Sequence, residues 1–149
     1  MLLTPLLTAA EPRELKWEEL MPVGWKPSMP DFESFFHDPS APAALQEKDA
    51  PVVASLDDQL ISIKGWLVPL EWGMDAIKEF LFVPWFGACL HAPPPPPNQI
   101  IRLTLASGVP EREMFEAQEI TGRLRTERSE SELALAGYRM EDALTRRLD

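Results

Sequence analysis

The chain's only cysteine and one of its two histidines, Cys89 and His91, stand two residues apart. On an extended backbone, side chains at positions i and i+2 project from the same face. A thiolate sulfur and an imidazole nitrogen are preferred ligands of zinc, and copper also accepts them. The pair therefore indicates a transition-metal site, with zinc as the first candidate. The other histidine, His37, is the candidate third ligand, alongside carboxylates and water.

Two other interpretations of the same pair stay open. A free cysteine is most often a small buried apolar side chain, and His91 would then be a hydrogen-bonded histidine at a strand end. In a thiol-dependent enzyme, Cys89 would be the nucleophile and His91 its base. No third orienting group can be read from the sequence, so we expect a protein that is not an enzyme.

Five consecutive prolines follow the pair, and two amide side chains end the run. Such a run favours polyproline II, a rod that rises about 3.1 Å per residue without internal hydrogen bonds. These rods bind aromatic-lined grooves, and this chain has five tryptophans of its own. We expect the rod to be a stiff connection between strands rather than a ligand for an external partner. The whole motif comprises Gly87, Pro93, Pro94, Pro95, Pro96, Pro97, Asn98 and Gln99.

The elements that must position this motif are mainly strands. Apolar residues alternate with polar ones around residues 60–64, which is the two-residue period of a half-buried strand. The predicted barrel strands cover residues 60–70, 77–86, 100–105, 115–125 and 133–140, after a short strand at 52–56. Glycines interrupt the first and fourth, as they do where strands bend. The pattern predicts a small five-stranded OB-like Greek-key barrel, with a small β-sandwich as the alternative.

The rest of the chain divides around that barrel. Residues 1–10 have a short apolar run and two alanines, as at the end of a truncated secretion signal. Residues 11–51 are predicted to form an N-terminal arm, with an amphipathic helix over 11–20 and a proline-rich extended strap after it. The barrel domain is assigned to 52–142 and an exposed tail to 143–149. The signal-like start predicts a periplasmic location, with the cytoplasm as the alternative.

Charge limits the partners. The formal net charge of −10 disfavours nucleic acid, whose binding depends on Lys and Arg neutralising phosphates. It equally disfavours adsorption on anionic lipid. No run approaches the roughly 20 apolar residues that a membrane-spanning helix needs. A single cysteine also means that no disulfide forms within the chain.

The stretch VPWFGACLHAPPPPPNQ resembles the signature of an uncharacterised bacterial family of periplasmic proteins or lipoproteins. The residues at 17–22, 64–71 and 136–140 resemble the family's opening, its first barrel strand and its last one. The resemblance implies an N-terminal export signal. It also implies a setting beside ABC-type export systems and zinc-responsive genes, which favours a metal. The family has no established catalytic residue, so the resemblance assigns none here.

Two hypotheses of function follow. The first is a non-enzymatic periplasmic module that binds zinc through Cys89 and His91 and assists an envelope export or metal-homeostasis system. The second is a metal-free protein-interaction module that presents the barrel and the proline segment to an envelope protein or a transporter component. Neither the physiological ligand nor the oligomeric state can be read from the sequence.

Overall fold

The computed structural model describes residues 11–27, 46–71, 75–86, 88 and 94–148. In these ranges the regular structure is almost entirely β, and the helical pieces are single 3-10 turns at Trp17–Leu20, Ala54–Leu56, Pro97–Gln99 and Glu111–Glu113. The strands are β1 (Arg13–Glu14), β2 (Gln59–Pro69), β3 (Ile77–Val83), β4 (Ile101–Val109), β5 (Gln118–Leu124), β6 (Ser129–Glu130), β7 (Leu135–Ala136) and β8 (Tyr138–Arg147).

Five of these strands close into a barrel. The first half of β2 pairs with β5 and its second half with β3, both antiparallel. β3 continues antiparallel to β4, β4 pairs parallel with β8, and β8 returns antiparallel to β5. This circuit is the five-stranded OB-type arrangement, so the predicted fold class is confirmed and the sandwich alternative is not what forms.

Gly65 lies where β2 changes partner. Gly65 is the last residue of β2 paired with β5, and Trp66 is the first paired with β3. A Cβ at Gly65 would lie 2.5 Å from the Val83 carbonyl oxygen and 3.0 Å from Cζ2 of Trp17. The predicted bend therefore requires glycine because strand β3 and the arm both press against this backbone.

The N-terminal arm is less helical than predicted. The amphipathic pattern of residues 11–20 gives the two-residue strand β1 and then one 3-10 turn. β3 pairs with β2 only after the bend, so the residues of β2 before the bend have one free edge. The arm pairs with that edge. The Leu15 N–H donates to the Ser62 carbonyl oxygen (2.8 Å), and the Trp17 indole N–H donates to that of Lys64 (2.7 Å). The free strand edge decides the conformation here, because helical arm residues could not satisfy those carbonyl groups.

The C-terminal third also differs from expectation. The stretch expected to be a strand at 133–140 is divided between β7 and β8, because β7 turns back to pair with β6 as a separate hairpin. β8 then continues to Arg147, five residues past the point where the barrel was expected to end. Asp142 has a φ of 49° at an irregularity in the pairing with β4, and Ala143 after it is buried. The expected strand at 52–56 is a 3-10 turn.

Candidate functional site

Cys89, His91 and His37 lie outside the residues that the structure describes, as do Gly87 and Pro93. What the structure describes of the motif is its two flanks, Ala88 on one side and residues 94–99 on the other. Elsewhere in the described ranges, no three His, Cys, Asp or Glu side chains come together in a group that could hold a metal ion. The metal prediction therefore stays a prediction.

The described prolines are bound into the fold. Pro95 and Pro97 are buried, and Pro96 has φ −61° and ψ 157°, in the polyproline II region. The Pro95 carbonyl oxygen accepts a hydrogen bond from Nε2 of Gln46 (2.9 Å). The Pro97 carbonyl oxygen accepts one from the Gly137 N–H (2.7 Å). This part of the run holds neighbouring segments together, and little of it faces solvent.

The two amide side chains after the prolines also link distant segments of the chain. Asn98 is fully buried, and its Nδ2 donates to the Pro51 carbonyl oxygen (2.9 Å). Nε2 of Gln99 donates to the Trp17 carbonyl oxygen (2.9 Å). Oδ1 of Asn98 accepts no hydrogen bond from the described residues. The prolines explain part of this, because the five residues before Asn98 have no backbone N–H to donate.

Tyr138 completes the same buried polar layer. Its hydroxyl donates to the Leu20 carbonyl oxygen (2.7 Å) and accepts from the Val53 N–H (2.8 Å). Burial raises the pKa of the Tyr138 phenol, and the hydrogen bond from Val53 offsets part of that rise. The arm, the segment just before β2 and the last barrel strand are thus joined at one side chain.

Next to the motif, the outer face of β2 and β3 is covered by the chain itself. Alternate residues of β3 point into the barrel, while Leu81 and Val83 point outward and are nevertheless fully buried. We call this surface the capped face. Its apolar cluster comprises Val68, Leu81, Val83, Ala88, Ile100, Ala134 and Ala136, with Trp66, Leu70 and Leu133 partly buried against it. Ala88 and Ile100 place both flanks of the motif on this face.

The cover of the capped face is the β6–β7 hairpin, residues 129–136. The side-chain amide of Gln46 both donates to the Leu135 carbonyl oxygen (2.8 Å) and accepts from the Leu135 N–H (2.8 Å), as a neighbouring strand would. Nη1 of Arg102 donates to Oγ of Ser129 (2.7 Å), and the same side chain forms an ion pair with Glu79 on β3. These side chains fasten the hairpin over the barrel.

A second apolar region is open to solvent. Trp85, Phe86 and Phe115 are 46%, 60% and 59% exposed, and the two phenylalanine rings contact each other with centroids 6.4 Å apart. We call these three residues the aromatic surface. They lie where the chain leaves β3 and where it approaches β5, on either side of the bend at Gly65. Large exposed aromatic side chains that adjoin one another mark interaction sites more often than scattered ones do.

A groove of about 460 Å³ continues from Trp85 toward the arm. Its walls are mostly apolar, with charged residues among them. The lining residues are Glu14, Leu15, Lys16, Trp17, Glu18, Met21, Lys64, Pro84, Trp85 and Gln99. Half of these ten residues have charged or amide side chains, so the groove is an open surface of mixed polarity with two tryptophans in its walls. Gln99 belongs to the groove and to the predicted motif at once, so the motif forms part of the groove wall.

A protein-family profile described as "Protein of unknown function (DUF3299)" matches residues 17–146. The chain belongs to the DUF3299 family. The crystal structure of a DUF3299 family protein from Pseudomonas aeruginosa PAO1 is similar, with 37% sequence identity and a TM-score of 0.79. The similarity covers 94% of this chain and 99% of that one. A comparison with curated proteins gave no match.

The DUF3299 match begins at Trp17 in the arm and ends at Arg146 in β8, so it includes the aromatic surface, the hairpin and the part of the groove from Trp17 onward. It agrees with the resemblance to an uncharacterised family and assigns no activity. Among the described residues, none of the helical segments is long and apolar enough to cross a membrane.

Sequence reasoning missed the capped face, the aromatic surface and Gln46. One signal was present for the first of these. Residues 80–86 are apolar without alternation, which is typical of a strand buried on both faces. The role of Gln46 had no local signal, because its partners lie 49 and 89 residues away.

Proposed function

We propose that this DUF3299 protein is a non-enzymatic binding module that docks a partner protein through the aromatic surface and the adjoining groove. The occupant we propose is an extended partner segment that places a large apolar side chain between Trp17 and Trp85. The observation that carries the proposal is the exposure of Trp85, Phe86 and Phe115 on a barrel whose own core and capped face bury their apolar side chains.

The energetics support docking at this place. Aromatic side chains are enriched at protein interfaces, where a few of them supply most of the binding free energy. Pro95 and Pro97 are buried, so this part of the run supports the fold rather than acting as the segment presented to a partner. The usual oligonucleotide face of OB barrels, the second and third barrel strands, lies partly under the hairpin, which supports a protein rather than a nucleic acid as the partner.

Peptides selected from a displayed random library against the whole chain provide the test. We expect selected peptides to lose affinity at least about tenfold in Trp85→Ser and in Phe115→Ser, the usual loss for a central aromatic contact. Leu144→Ser is the matched control, because Leu144 is 66% exposed and does not line the groove. A selection without binders, or binders that are indifferent to both aromatic substitutions, would contradict the proposal.

A second proposal concerns zinc. We propose that Cys89 and His91 bind this metal, with His37 or a carboxylate as a further ligand. The Cys-x-His spacing supports it, and so does the burial of Ala88 and Pro95, the anchored residues on either side of the pair. Calorimetry of the reduced chain with zinc is the test. Saturable binding that disappears in Cys89→Ser and in His91→Ala is expected, and binding unchanged by both would reject the site.

The location is a proposal as well. We propose that VPWFGACLHAPPPPPNQ is a signature of the family and that the chain works in the periplasm beside an envelope protein or a transporter component. The apolar run and the alanine pair within residues 1–10 support export. Fractionation of cells that express the whole chain would test this, since recovery only with cytoplasmic markers would contradict it.

A further inference from the structure

The β6–β7 hairpin is attached to the barrel in an unusual way. It forms a sheet of its own, with two residue pairs, Ser129 with Ala136 and Glu130 with Leu135. Among the described residues, no strand of the barrel extends its ladder. At its base, Arg125 and Arg139 exchange backbone hydrogen bonds of 2.8 and 2.9 Å, which fix the point where the hairpin leaves the barrel.

What holds the hairpin down is a set of side-chain contacts. Gln46 and Arg102 make the hydrogen bonds already described, and Lys48 forms an ion pair with Glu130 (2.8 Å). Arg128 donates to the carbonyl oxygens of Lys48 and Ala50. Each such contact contributes modestly, the ion pair is exposed, and none of these contacts is a backbone ladder bond between the hairpin and a barrel strand.

The hairpin contributes few large apolar side chains to its contact with the barrel. The hairpin contributes the alanines Ala134 and Ala136, with Leu133 only partly buried. The barrel contributes Val68, Leu81, Val83 and Ile100, which are at most 2% exposed. Lifting the hairpin would therefore give up little apolar burial from the hairpin itself but would uncover a continuous apolar surface on the barrel.

We propose that the β6–β7 hairpin is a lid that opens as a unit and that, while closed, covers the capped face of the barrel. The hairpin connects the fourth and fifth barrel strands, and the connection at this position borders the ligand face of OB-type barrels. Here the connection folds onto that face and covers it. Gln46 and Arg102 are the latch. The lid proposal does not depend on the aromatic surface, so an experiment that rejects docking at that surface would leave the lid proposal intact.

Hydrogen exchange followed by mass spectrometry tests the lid in the unmodified chain. We expect amides of residues 129–136 to exchange by a local opening, at least about tenfold faster than those of β4 and β5. Exchange of the hairpin in step with β4 would overturn the proposal, because the hairpin would then open only when the whole barrel unfolds.

A latch variant sharpens the test. Gln46→Leu removes three hydrogen bonds, and we expect hairpin exchange to accelerate by about tenfold or more while β2 and β5 keep their rates. The variant should also bind the dye 1-anilinonaphthalene-8-sulfonate, which reports exposed apolar surface. Gln59→Leu is the matched control, since the Gln59 side-chain amide donates to the Ser55 carbonyl oxygen and, among the described residues, forms no side-chain hydrogen bond to residues 129–136. Equal acceleration at all strands in Gln46→Leu would show that Gln46 stabilises the barrel as a whole, against the lid.

Discussion

The capped face and the aromatic surface are both apolar, both belong to the segment around β3, and they meet solvent differently. Leu81 and Val83 are covered by the β6–β7 hairpin, whereas Trp85 and Phe86, two or three residues later, are 46% and 60% exposed. The hairpin is held in place by the side chains of Gln46, Lys48, Arg102 and Arg128. The contrast between a covered apolar face and an open one beside it is the basis of the docking that we propose.

The largest effect that separates the two regions is expected at Leu81. Leu81→Ala removes a fully buried side chain and leaves a cavity between barrel and hairpin, at a cost of about 2–5 kcal/mol in the free energy of unfolding. Denaturant unfolding measures it. A loss below about 1 kcal/mol would mean that the hairpin relaxes into the cavity and that the capped face packs loosely.

The bend at Gly65, between the two regions, should be nearly as sensitive. Gly65→Ala places a methyl group 2.5 Å from the Val83 carbonyl oxygen, and backbone cannot move aside as a flexible side chain can. We expect a loss of about 1–3 kcal/mol, measured as a lower midpoint of thermal unfolding. Gly24→Ala is a contrasting control with nothing within 4 Å of the added methyl group, although the φ of 84° at Gly24 imposes its own backbone strain.

A substitution at Tyr138 tests the buried polar layer, in which its hydroxyl joins Leu20 of the arm to Val53 before β2. Tyr138→Phe leaves the Leu20 carbonyl oxygen and the Val53 N–H without their partner, which costs about 1–3 kcal/mol. Denaturant unfolding of the unmodified protein and of Tyr138→Phe at neutral pH measures this loss in the free energy of unfolding. An unchanged midpoint would indicate that water replaces the hydroxyl and that the layer is accessible.

The same residue predicts a pH dependence. The pKa of Tyr138 is raised in the folded chain, so its contribution to stability is complete below the ordinary value of 10.0 and is lost as pH rises toward the folded value. The free energy of unfolding, measured from pH 8 to 11, should decline above pH 10, and the decline should be smaller in Tyr138→Phe. Identical declines in both chains would assign the effect to other groups.

The smallest effect is expected on the aromatic surface. Phe86→Ser removes a side chain that is 60% exposed, and we expect a change within about 0.5 kcal/mol. The measurement is the same denaturant unfolding as for Leu81→Ala. A loss comparable with that of Leu81→Ala would make the aromatic surface part of the fold and would remove the main support for docking.

The barrel strands were predictable because their cause is local. The alternation around Ile61 and Ile63 reflects one face turned to the core, and Gly65 marks the bend in the sequence itself. The conformation of the arm was not predictable, because its ten amphipathic residues suit a helix equally well. The free edge of β2 that makes the arm extended is 47 residues away in the sequence. The hairpin was missed for the same reason. LALAG has the composition of a barrel strand, and its first residues belong to the separate hairpin that Gln46 and Arg102 hold against the barrel.

The candidate site divides in the same way. Asn98 and Gln99 were recognisable as the amides that end the proline run, since that follows from neighbouring residues. Their targets, Pro51 and Trp17, were not, because they depend on how distant segments meet. Trp85 and Phe86 were expected inside a strand that ends at Val83, and only that earlier end exposes them.

The parallel pairing of β4 with β8 has a consequence for biosynthesis. The last strand lies between β4 and β5, so a nascent chain keeps two strand edges unpaired until Arg147 has been made. The barrel cannot close while the ribosome still holds β8, and closure must then join residues far apart in sequence, which slows folding. During this interval the open edges and the uncovered capped face are exposed to aggregation. A chain of this topology is therefore most vulnerable until β8 has left the ribosome.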